Sequence, residues 1–228
     1  MGYRIGFDIG STTIKAVVLD ENNQICYKSY ERHKAQVRQK ALDKLVELKK
    51  YTKEPFKFAI SGSGALGLSE QGELPFVQEV FASATGVSKL YPETDCAIEL
   101  GGEDAKILFF QGSVEQRMNS TCAGGTGAFI DQMSTLLNMS LEEMNEASLN
   151  YHRLYPIASR CGVFAKTDIQ PLINQGVDKC DLCASIFQAV VDQTITSLAQ
   201  GRKIEGNILF LGGPLYFMSG LRKRFVET

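Results

Sequence analysis

The chain has 228 residues, of which 44% are hydrophobic and 22% are charged, and its formal net charge is −2. This composition is typical of a globular protein with a sizeable core and lacks the basic excess of a nucleic-acid-binding domain. No apolar run has the length of a membrane span and no secretory signal is evident, so we expect a cytoplasmic protein without nucleic-acid or membrane partners. In that reducing compartment, the six cysteines are interpreted as core residues, metal ligands or reactive thiols.

The first part of the chain alternates strand patterns with one amphipathic helix. Apolar residues spaced three to four apart at Val37, Ala41, Leu45 and Leu48 predict the helix. The strand patterns before it form a meander, and the strand after it ends at a Ser-Gly-Ser-Gly turn. In chain order, the predicted elements are strands at 3–8, 14–20 and 24–30, a helix at 36–50 and a strand at 56–60.

The second part repeats this order of elements. A glycine turn again separates its first two strands, so the chain has a weak internal repeat with a boundary at Tyr91-Pro92. We therefore predict two halves, 1–92 and 93–228, and the short stretch after the last strand is typical of a truncated C-terminus or a fragment of a larger protein. The predicted elements are strands at 96–100, 105–110 and 114–118, helices at 129–137, 141–148, 169–174 and 184–200, a strand at 207–211 and a helix from about Met218.

The segment DIGSTTIK, residues 8–15, predicts a phosphate-binding hairpin. Its glycine permits close approach of the backbone, and successive N–H groups in a turn form an anion nest. A carboxylate at a strand end, Asp8, is suited to Mg²⁺, which prefers few carboxylates and several waters. The alternative is an ordinary hairpin with a polar tip. The residues predicted to bind phosphate here are Gly10, Ser11, Thr12, Thr13 and Lys15.

Three further glycine turns add to this pattern. The turn ELGGED, residues 99–104, offers a second phosphate approach flanked by acidic groups, or is simply an acidic β-turn. The segment GGTG, residues 124–127, opens a helix, whose N-terminal amides attract anions. The turn at 212–214 follows a strand and suits a nucleobase lying on the backbone. The binding residues predicted in these turns are Gly101, Gly102, Gly124, Gly125, Thr126, Gly212, Gly213 and Pro214.

Together the four turns resemble the ATPase superfamily of actin, sugar kinases and heat-shock chaperones. The resemblance implies an α/β fold of two related ribonuclease H-like halves, each a mixed five-stranded sheet with flanking helices. It also implies that ATP and Mg²⁺ bind in the cleft between the halves, which open again on ADP. The catalytic residues implied are Asp8, Glu99, Glu103 and Asp104.

Two cysteines precede predicted helices, Cys122 and Cys161. A helix N-terminus favours the thiolate, the form that binds metal. Two thiolates per chain are too few for a [4Fe–4S] cluster, whereas two chains related by a two-fold axis supply four. The alternative from the residues alone is that both cysteines are core residues.

The strings STCAGGTGAFID and SRCGVFAKTDI resemble the ATPase activators of 2-hydroxyacyl-CoA dehydratases, of the BadF/BadG/BcrA/BcrD group. The resemblance implies a homodimer that shares one [4Fe–4S] cluster, with Cys122 and Cys161 of each chain as ligands. It implies that a ferredoxin or flavodoxin reduces the cluster. ATP binding and hydrolysis then drive one low-potential electron to a partner 2-hydroxyacyl-CoA dehydratase or benzoyl-CoA reductase-type enzyme.

The chain departs from the family at two of the turns. The family usually reads DIGGQD where this chain has ELGGED, so Glu99 replaces Asp and Glu103 replaces Gln, and the role of Glu103 in hydrolysis stays open. The residues that follow Gly213 are larger than those in many relatives. The alternatives are a sugar or acid kinase on the same fold, or a nucleotide-binding regulatory module of a larger protein. A kinase needs a catalytic Asp with its loop, and no convincing candidate is evident.

The remaining cysteines and histidines are given structural interpretations. The CxxC pair Cys180 and Cys183 lacks a second pair to complete a zinc site. Cys26 and Cys96 lie on predicted strands and are expected in the core. The two histidines, His33 and His152, are isolated in the sequence and are expected to be surface or capping residues.

Overall fold

The computed structural model describes residues 2–53, 55–119, 124–159 and 161–228. The chain divides into two compact units, Met1–Lys89 and Leu90–Thr228. Each unit is an α/β layer with its own sheet and its own hydrophobic core.

The sheet of unit 1 has the strand order β3-β2-β1-β4. Its first three strands are antiparallel neighbours, and β4 pairs parallel to β1. Alternate residues of β1 and β2 point into the core, where Ala41 and Leu48 of α1 cover them. The elements are β1 (Tyr3–Ile9), β2 (Thr13–Leu19), β3 (Ile25–Arg32), α1 (Val37–Leu48), β4 (Phe56–Ser61), α2 (Leu66–Gly72) and α3 (Glu79–Leu90).

Unit 2 repeats this connectivity with the strand order β7-β6-β5-β8. Strand β8 pairs parallel to β5, as β4 pairs to β1, so the internal repeat predicted from the sequence is present in the topology. The elements are β5 (Cys96–Leu100), β6 (Ala105–Phe109), β7 (Glu115–Asn119), α4 (Gly127–Leu137), α5 (Leu141–Ser148), α6 (Gly162–Asn174), α7 (Lys179–Thr194), β8 (Ile208–Leu211), α8 (Gly213–Phe217) and α9 (Ser219–Glu227).

Each sheet has four strands among the described residues, not the five that were expected. In unit 1, a single parallel bridge joins Ile60 to Phe76 where a fifth strand would lie beside β4. Ile60 donates its N–H to Pro75 and accepts the N–H of Val77. Proline has no N–H to extend a ladder, and α3 begins at Glu79, so the pairing stays a bridge. In unit 2, the described residues after β8 form helices.

Helix α7 is the central element of the unit 2 core. Together with the π-helical turn Ile195–Ala199 it forms a helix of 21 residues that is long and apolar enough to cross a membrane by length and composition. Within its most apolar window 72% is buried, and Ile186, Phe187 and Val190 are fully enclosed by the core. A helix that is buried to this degree is typical of the core of a globular unit.

Candidate functional site

The β1–β2 hairpin brings the predicted carboxylate and lysine of the first turn together. Asp8 and Lys15 are cross-strand partners, with Lys15 Nζ 2.7 Å from Asp8 Oδ2. The N–H of Gly10 donates to the carbonyl of Thr13 at 2.9 Å and closes the turn. Lys15 thus neutralises one oxygen of Asp8, and the turn residues Ser11 and Thr12 form the tip of the hairpin.

The second oxygen of Asp8 meets the requirements of a cation site. Asp8 Oδ1 is buried without a hydrogen-bond partner among the described residues, and so is Oγ of Ser61, its register neighbour on β4. Gly62 adopts φ +98°, and a Cβ there would lie 2.4 Å from Asp8 Oδ1. A buried, unpartnered carboxylate oxygen beside a glycine that keeps the space open fits a hydrated Mg²⁺ ion. Neither Ser61 nor Gly62 was predicted as a site residue.

Two neighbouring segments hold the hairpin tip. On one side, Gly64 donates its N–H to the carbonyl of Ile9 at 2.8 Å. On the other side lies His33, which is only 5% exposed and has its Nε2 3.2 Å from the carbonyl oxygen of Gly10. The expectation that His33 is a surface or capping residue is therefore wrong, because the chain after β3 folds its ring against the turn.

The second turn has the same construction in unit 2. Glu99 and Lys106 are cross-strand partners, and the N–H of Gly101 donates to the carbonyl of Asp104 at 2.8 Å. Lys106 follows Glu99 by seven residues, as Lys15 follows Asp8, and this spacing was the signal that could have predicted Lys106 as a site residue. The two units therefore carry matched carboxylate–turn–lysine hairpins.

Lys106 is the charge centre of the second turn. It is 1% exposed, and its Nζ lies 2.7 Å from Asp104 Oδ2 and 3.6 Å from Glu99 Oε1. A buried ammonium requires such partners, because an unpaired charge in the interior is strongly unfavourable. Glu99 and Asp104 are thus held by a common lysine, whereas Glu103 at the tip of the turn is exposed.

The start of α4 packs directly on the second turn. The N–H groups of Gly127 and Ala128 donate to the carbonyls of Gly101 and Gly102, at 3.0 and 2.8 Å. The first two helical amides are thus used within the protein. Gly124, Gly125 and Thr126, which precede them, are buried.

The predicted adenosine turn meets the same region of unit 2. Gly212 has φ +87°, and a Cβ there would lie 2.0 Å from the carbonyl of Leu100. A Cβ at Gly127 would lie 3.3 Å from the ring of Pro214, at the start of α8. Glycine is thus required at position 212, and the contact at Gly127 is tight. The structure brings together the turns at 99–104, 124–127 and 212–214.

Gly125 lies beside Gln193, a residue that the sequence analysis did not single out. It has φ +82°, and a Cβ there would lie 3.1 Å from the side chain of Gln193. Oε1 of Gln193 is buried without a hydrogen-bond partner among the described residues. A polar α7 residue therefore lies beside the glycine segment, which no sequence motif indicated.

Cys161 is the cysteine of the predicted pair that the structure describes. It caps the N-terminus of α6 with extended backbone, φ −143° and ψ 127°, and is partly exposed. The next residue, Gly162, packs on α4, where a Cβ would lie 3.3 Å from Gln132 and 3.6 Å from Phe129. Cys122 lies outside the described residues, in the segment that precedes α4.

The segment leading to Cys161 is held by side-chain acceptors of two helices. Asp181 Oδ1 accepts the N–H groups of His152 and Arg153 at 2.7 and 2.9 Å. Oγ of Ser185 accepts the N–H of Tyr155 at 2.8 Å, and Asp168 Oδ2 on α6 accepts the N–H of Ala158 at 2.7 Å. An irregular segment thus acquires a defined path without a strand partner.

Replacing Asp181 by alanine is expected to lower the free energy of unfolding of unit 2 by about 3 kcal/mol, because two hydrogen bonds to a charged acceptor are lost. Urea titration and faster amide exchange at His152 and Arg153 would measure this effect. Asp181→Asn keeps an acceptor oxygen, so its loss should be less than half as large. Equal losses for both variants, or unchanged exchange at the two amides, would contradict this role.

The other cysteines are mostly structural. Burial raises the pKa of Cys183 to about 12 and that of Cys96 to about 11, and burial is also the largest cause of the raised pKa of Cys180. These thiols stay protonated at neutral pH, which does not favour metal binding. Cys26 is exposed on β3, so the expectation that it lies in the core is wrong: its side chain is on the solvent side of an edge strand. No group of three or more potential ligands from His, Cys, Asp and Glu occurs among the described residues.

Two four-stranded sheets of the same order, each with a carboxylate–turn–lysine hairpin, define an actin-like ATPase class. The chain belongs to the BadF/BadG/BcrA/BcrD ATPase family, whose model matches residues 5–227. The predicted family and fold class are thereby confirmed.

Similar proteins and structures agree with this family. The (R)-2-hydroxyglutaryl-CoA dehydratase activating ATPase of Acidaminococcus fermentans is 27% identical over 92% of this chain and 82% of its own. The activator of lactoyl-CoA dehydratase of Anaerotignum propionicum is 29% identical over 92% of this chain and 83% of its own.

Two solved structures superpose on nearly the whole chain. The A. fermentans (R)-2-hydroxyglutaryl-CoA dehydratase component A has a TM-score of 0.88 at 27% identity, and covers 100% of this chain and 88% of that one. The activator of the 2-hydroxyisocaproyl-CoA dehydratase from Clostridium difficile, with bound ADPNP, has a TM-score of 0.86 at 28% identity, with coverage of 99% and 85%. This chain is thus an ATPase of the same fold.

Proposed function

We propose that this protein is an ATP-dependent activator that delivers one low-potential electron to a partner enzyme. The observation that carries the proposal is Cys161 at the N-terminus of α6, packed beside α4, in a chain with two matched phosphate hairpins. Phosphorylation of a sugar needs a residue that accepts the proton of the substrate hydroxyl, and a cysteine at a helix N-terminus is not required for that chemistry. The relatives named as dehydratase activators support the same assignment.

ATP and Mg²⁺ are assigned to the glycine turns. In the first hairpin, Asp8 would hold Mg²⁺ through its unpartnered oxygen, and Gly10 to Thr13 with Lys15 would bind phosphate. Gly101 and Gly102 would approach a second phosphate, and Gly212 to Pro214 would support the adenosine. Gly124 to Thr126 complete the set as buried backbone next to the second turn.

Hydrolysis needs a water molecule that is oriented towards the γ-phosphate. Glu99 and Asp104 are held by Lys106, which reduces the negative charge that they present to a triphosphate. Glu103 is exposed at the tip of the turn and is the carboxylate with the freedom to orient or deprotonate water. We assign this role to Glu103, and Glu99 and Asp104 would be further acidic groups of the second turn.

The cysteine pair is assigned to a [4Fe–4S] cluster that two copies of the chain share. Cys161 fits a ligand, because it is partly exposed at a helix N-terminus, and Cys122 would be the second ligand from each chain. When bound, the cluster supplies one-electron chemistry, with ferredoxin or flavodoxin as donor. Asp181, Ser185 and Asp168 fix the path of the segment that carries Cys161.

The partner is assigned by the chemistry of the relatives. Their names include 2-hydroxyacyl-CoA dehydratase activators and a benzoyl-CoA reductase subunit of Thauera aromatica, which is 25% identical over 64% of this chain and 52% of its own. A 2-hydroxyacyl-CoA dehydratase or a related acyl-CoA reductase would accept the electron. We assign the protein to the cytoplasm, where such partners and their reduced electron donors occur together.

One experiment separates this function from a kinase on the same fold. The dithionite-reduced protein is mixed anaerobically with MgATP and the dehydratase component of A. fermentans, and in parallel with a panel of sugars and hydroxy acids. The activator role predicts phosphate release and ATP-dependent gain of dehydratase activity, without a phosphorylated sugar. ATP-dependent phosphorylation of a sugar or acid, with no gain of dehydratase activity, would replace the proposal by the kinase.

A further inference from the structure

His33 makes two contacts with the tip of the first hairpin. Its ring nitrogen Nε2 lies 3.2 Å from the carbonyl oxygen of Gly10, and its backbone N–H donates to the carbonyl of Thr12 at 3.2 Å. A carbonyl only accepts, so Nε2 carries the proton of the ring and donates it. One residue thus holds two successive carbonyls of the turn that runs from Gly10 to Thr13.

These contacts orient the amides of the turn. A trans peptide is planar, with its N–H pointing opposite to its C=O, and the described chain has no cis peptide. Because the carbonyls of Gly10 and Thr12 point at His33, the N–H groups of Ser11 and Thr13 point away from it. The amide of Ser11 is therefore presented on the side of the turn opposite to the imidazole.

The burial of the ring indicates that its donor nitrogen has a role beyond packing. His33 is 5% exposed, and its other nitrogen, Nδ1, is buried without a partner among the described residues. A buried polar atom without a partner costs about 1–3 kcal/mol, so an apolar side chain would stabilise this position better if packing were its only role. The backbone that follows is also strained, since Lys34 and Ala35 have φ of 47° and 62°.

We propose that His33 is a positioning residue for the phosphate turn, and that its Nε2–H fixes the Gly10–Ser11 peptide with the amide facing bound phosphate. The proposal rests on the assigned role of the turn in binding ATP. It extends the site to a residue that follows β3, outside the four glycine turns. Loss of the ring donor would weaken phosphate binding without removing any group that reacts.

The test compares three variants of the full chain by phosphate release from MgATP. In His33→Gln the amide nitrogen reaches about as far as Nε2, whereas in His33→Asn it is too short, and His33→Phe has no donor. We expect the Phe and Asn variants to raise the KM for MgATP about five- to tenfold, which is the equivalent of one hydrogen bond. Their kcat should stay within about twofold of the wild-type value. We expect the Gln variant to keep a KM close to that of the wild type, and the Tm to be similar in all three variants.

Three results would overturn the proposal. They are an unchanged KM in both Phe and Asn, a Gln variant as weak as Phe, or a fall in kcat equal to the rise in KM. If the Phe variant does not fold, the contrast between Gln and Asn gives the same decision. Asp8→Asn is measured beside them. If this variant has the wild-type KM and kcat for MgATP, the assigned role of the turn fails. If Asp8→Asn has an effect and the His33 variants have none, only the proposed role of His33 is rejected.

Discussion

Replacing Cys161 by alanine is expected to remove the iron from the protein and abolish ATP-dependent electron delivery, while phosphate release from MgATP continues. A [4Fe–4S] cluster takes four thiolates, and this change removes two of the four that a pair of chains supplies. Cys161 is at the N-terminus of α6 and is not among the residues assigned to the nucleotide, so the ATP-binding residues are left intact. Iron, sulfide and the visible spectrum after anaerobic reconstitution measure the effect.

Cys26→Ala is the matched control for this prediction. Cys26 is also solvent-accessible, but it lies on β3 of unit 1 and precedes no helix. Its replacement removes the same chemical group and should leave iron content and electron delivery unchanged. A Cys161→Ala variant with wild-type iron content would reject Cys161 as a ligand, and loss of iron in the Cys26 variant would show a general sensitivity to thiol loss.

Replacing Asp8 by asparagine is expected to lower kcat for ATP hydrolysis by about 100- to 1,000-fold, because the carboxylate charge that would hold Mg²⁺ is lost. Asparagine has nearly the same shape, so the hairpin and its Gly10–Thr13 hydrogen bond should persist. The loss of charge also leaves Lys15, 2.7 Å from Oδ2, without its anionic partner in the turn. Phosphate release at saturating MgATP measures the effect.

Asp20→Asn is the control for Asp8. Asp20 lies at the opposite end of β2 from the phosphate turn, where its Oδ1 accepts the N–H groups of Asn22 and Gln24. An asparagine there keeps an acceptor and should leave hydrolysis unchanged. Wild-type hydrolysis in the Asp8 variant would mean that Mg²⁺ is held elsewhere, and the acidic second turn would then become the metal site.

The elements of the fold that depend on local pattern were predictable from the sequence. Short runs rich in apolar and β-branched residues marked β1 and β2, and apolar spacing marked α1, so their limits differ from the structure by only a few residues. Helices α2 and α3 were missed, because glycines and small residues interrupt their apolar pattern. Cys26 was placed in the core because alternation cannot tell which face of an edge strand is covered.

Site residues were predictable where a turn motif indicates phosphate or metal binding. They were not predictable where their place in the site depends on tertiary packing. Glycines with carboxylates at strand ends indicated both hairpins. His33 approaches Gly10 only because of the turn after β3, and Ser61 becomes a neighbour of Asp8 only through the parallel pairing of β4. Lys106 was overlooked although it follows Glu99 by the same seven residues as Lys15 follows Asp8; its burial between two carboxylates is visible only in the structure.

The central claim is that two copies of this ATPase share one iron–sulfur cluster and use ATP to move its electron. Native mass spectrometry of the anaerobically prepared wild-type chain tests this claim most directly. The account predicts a dimer whose mass includes one [4Fe–4S] cluster, and separation into monomers when the cluster is removed by a chelator. A chain that stays monomeric and iron-free after anaerobic reconstitution with iron and sulfide would contradict it.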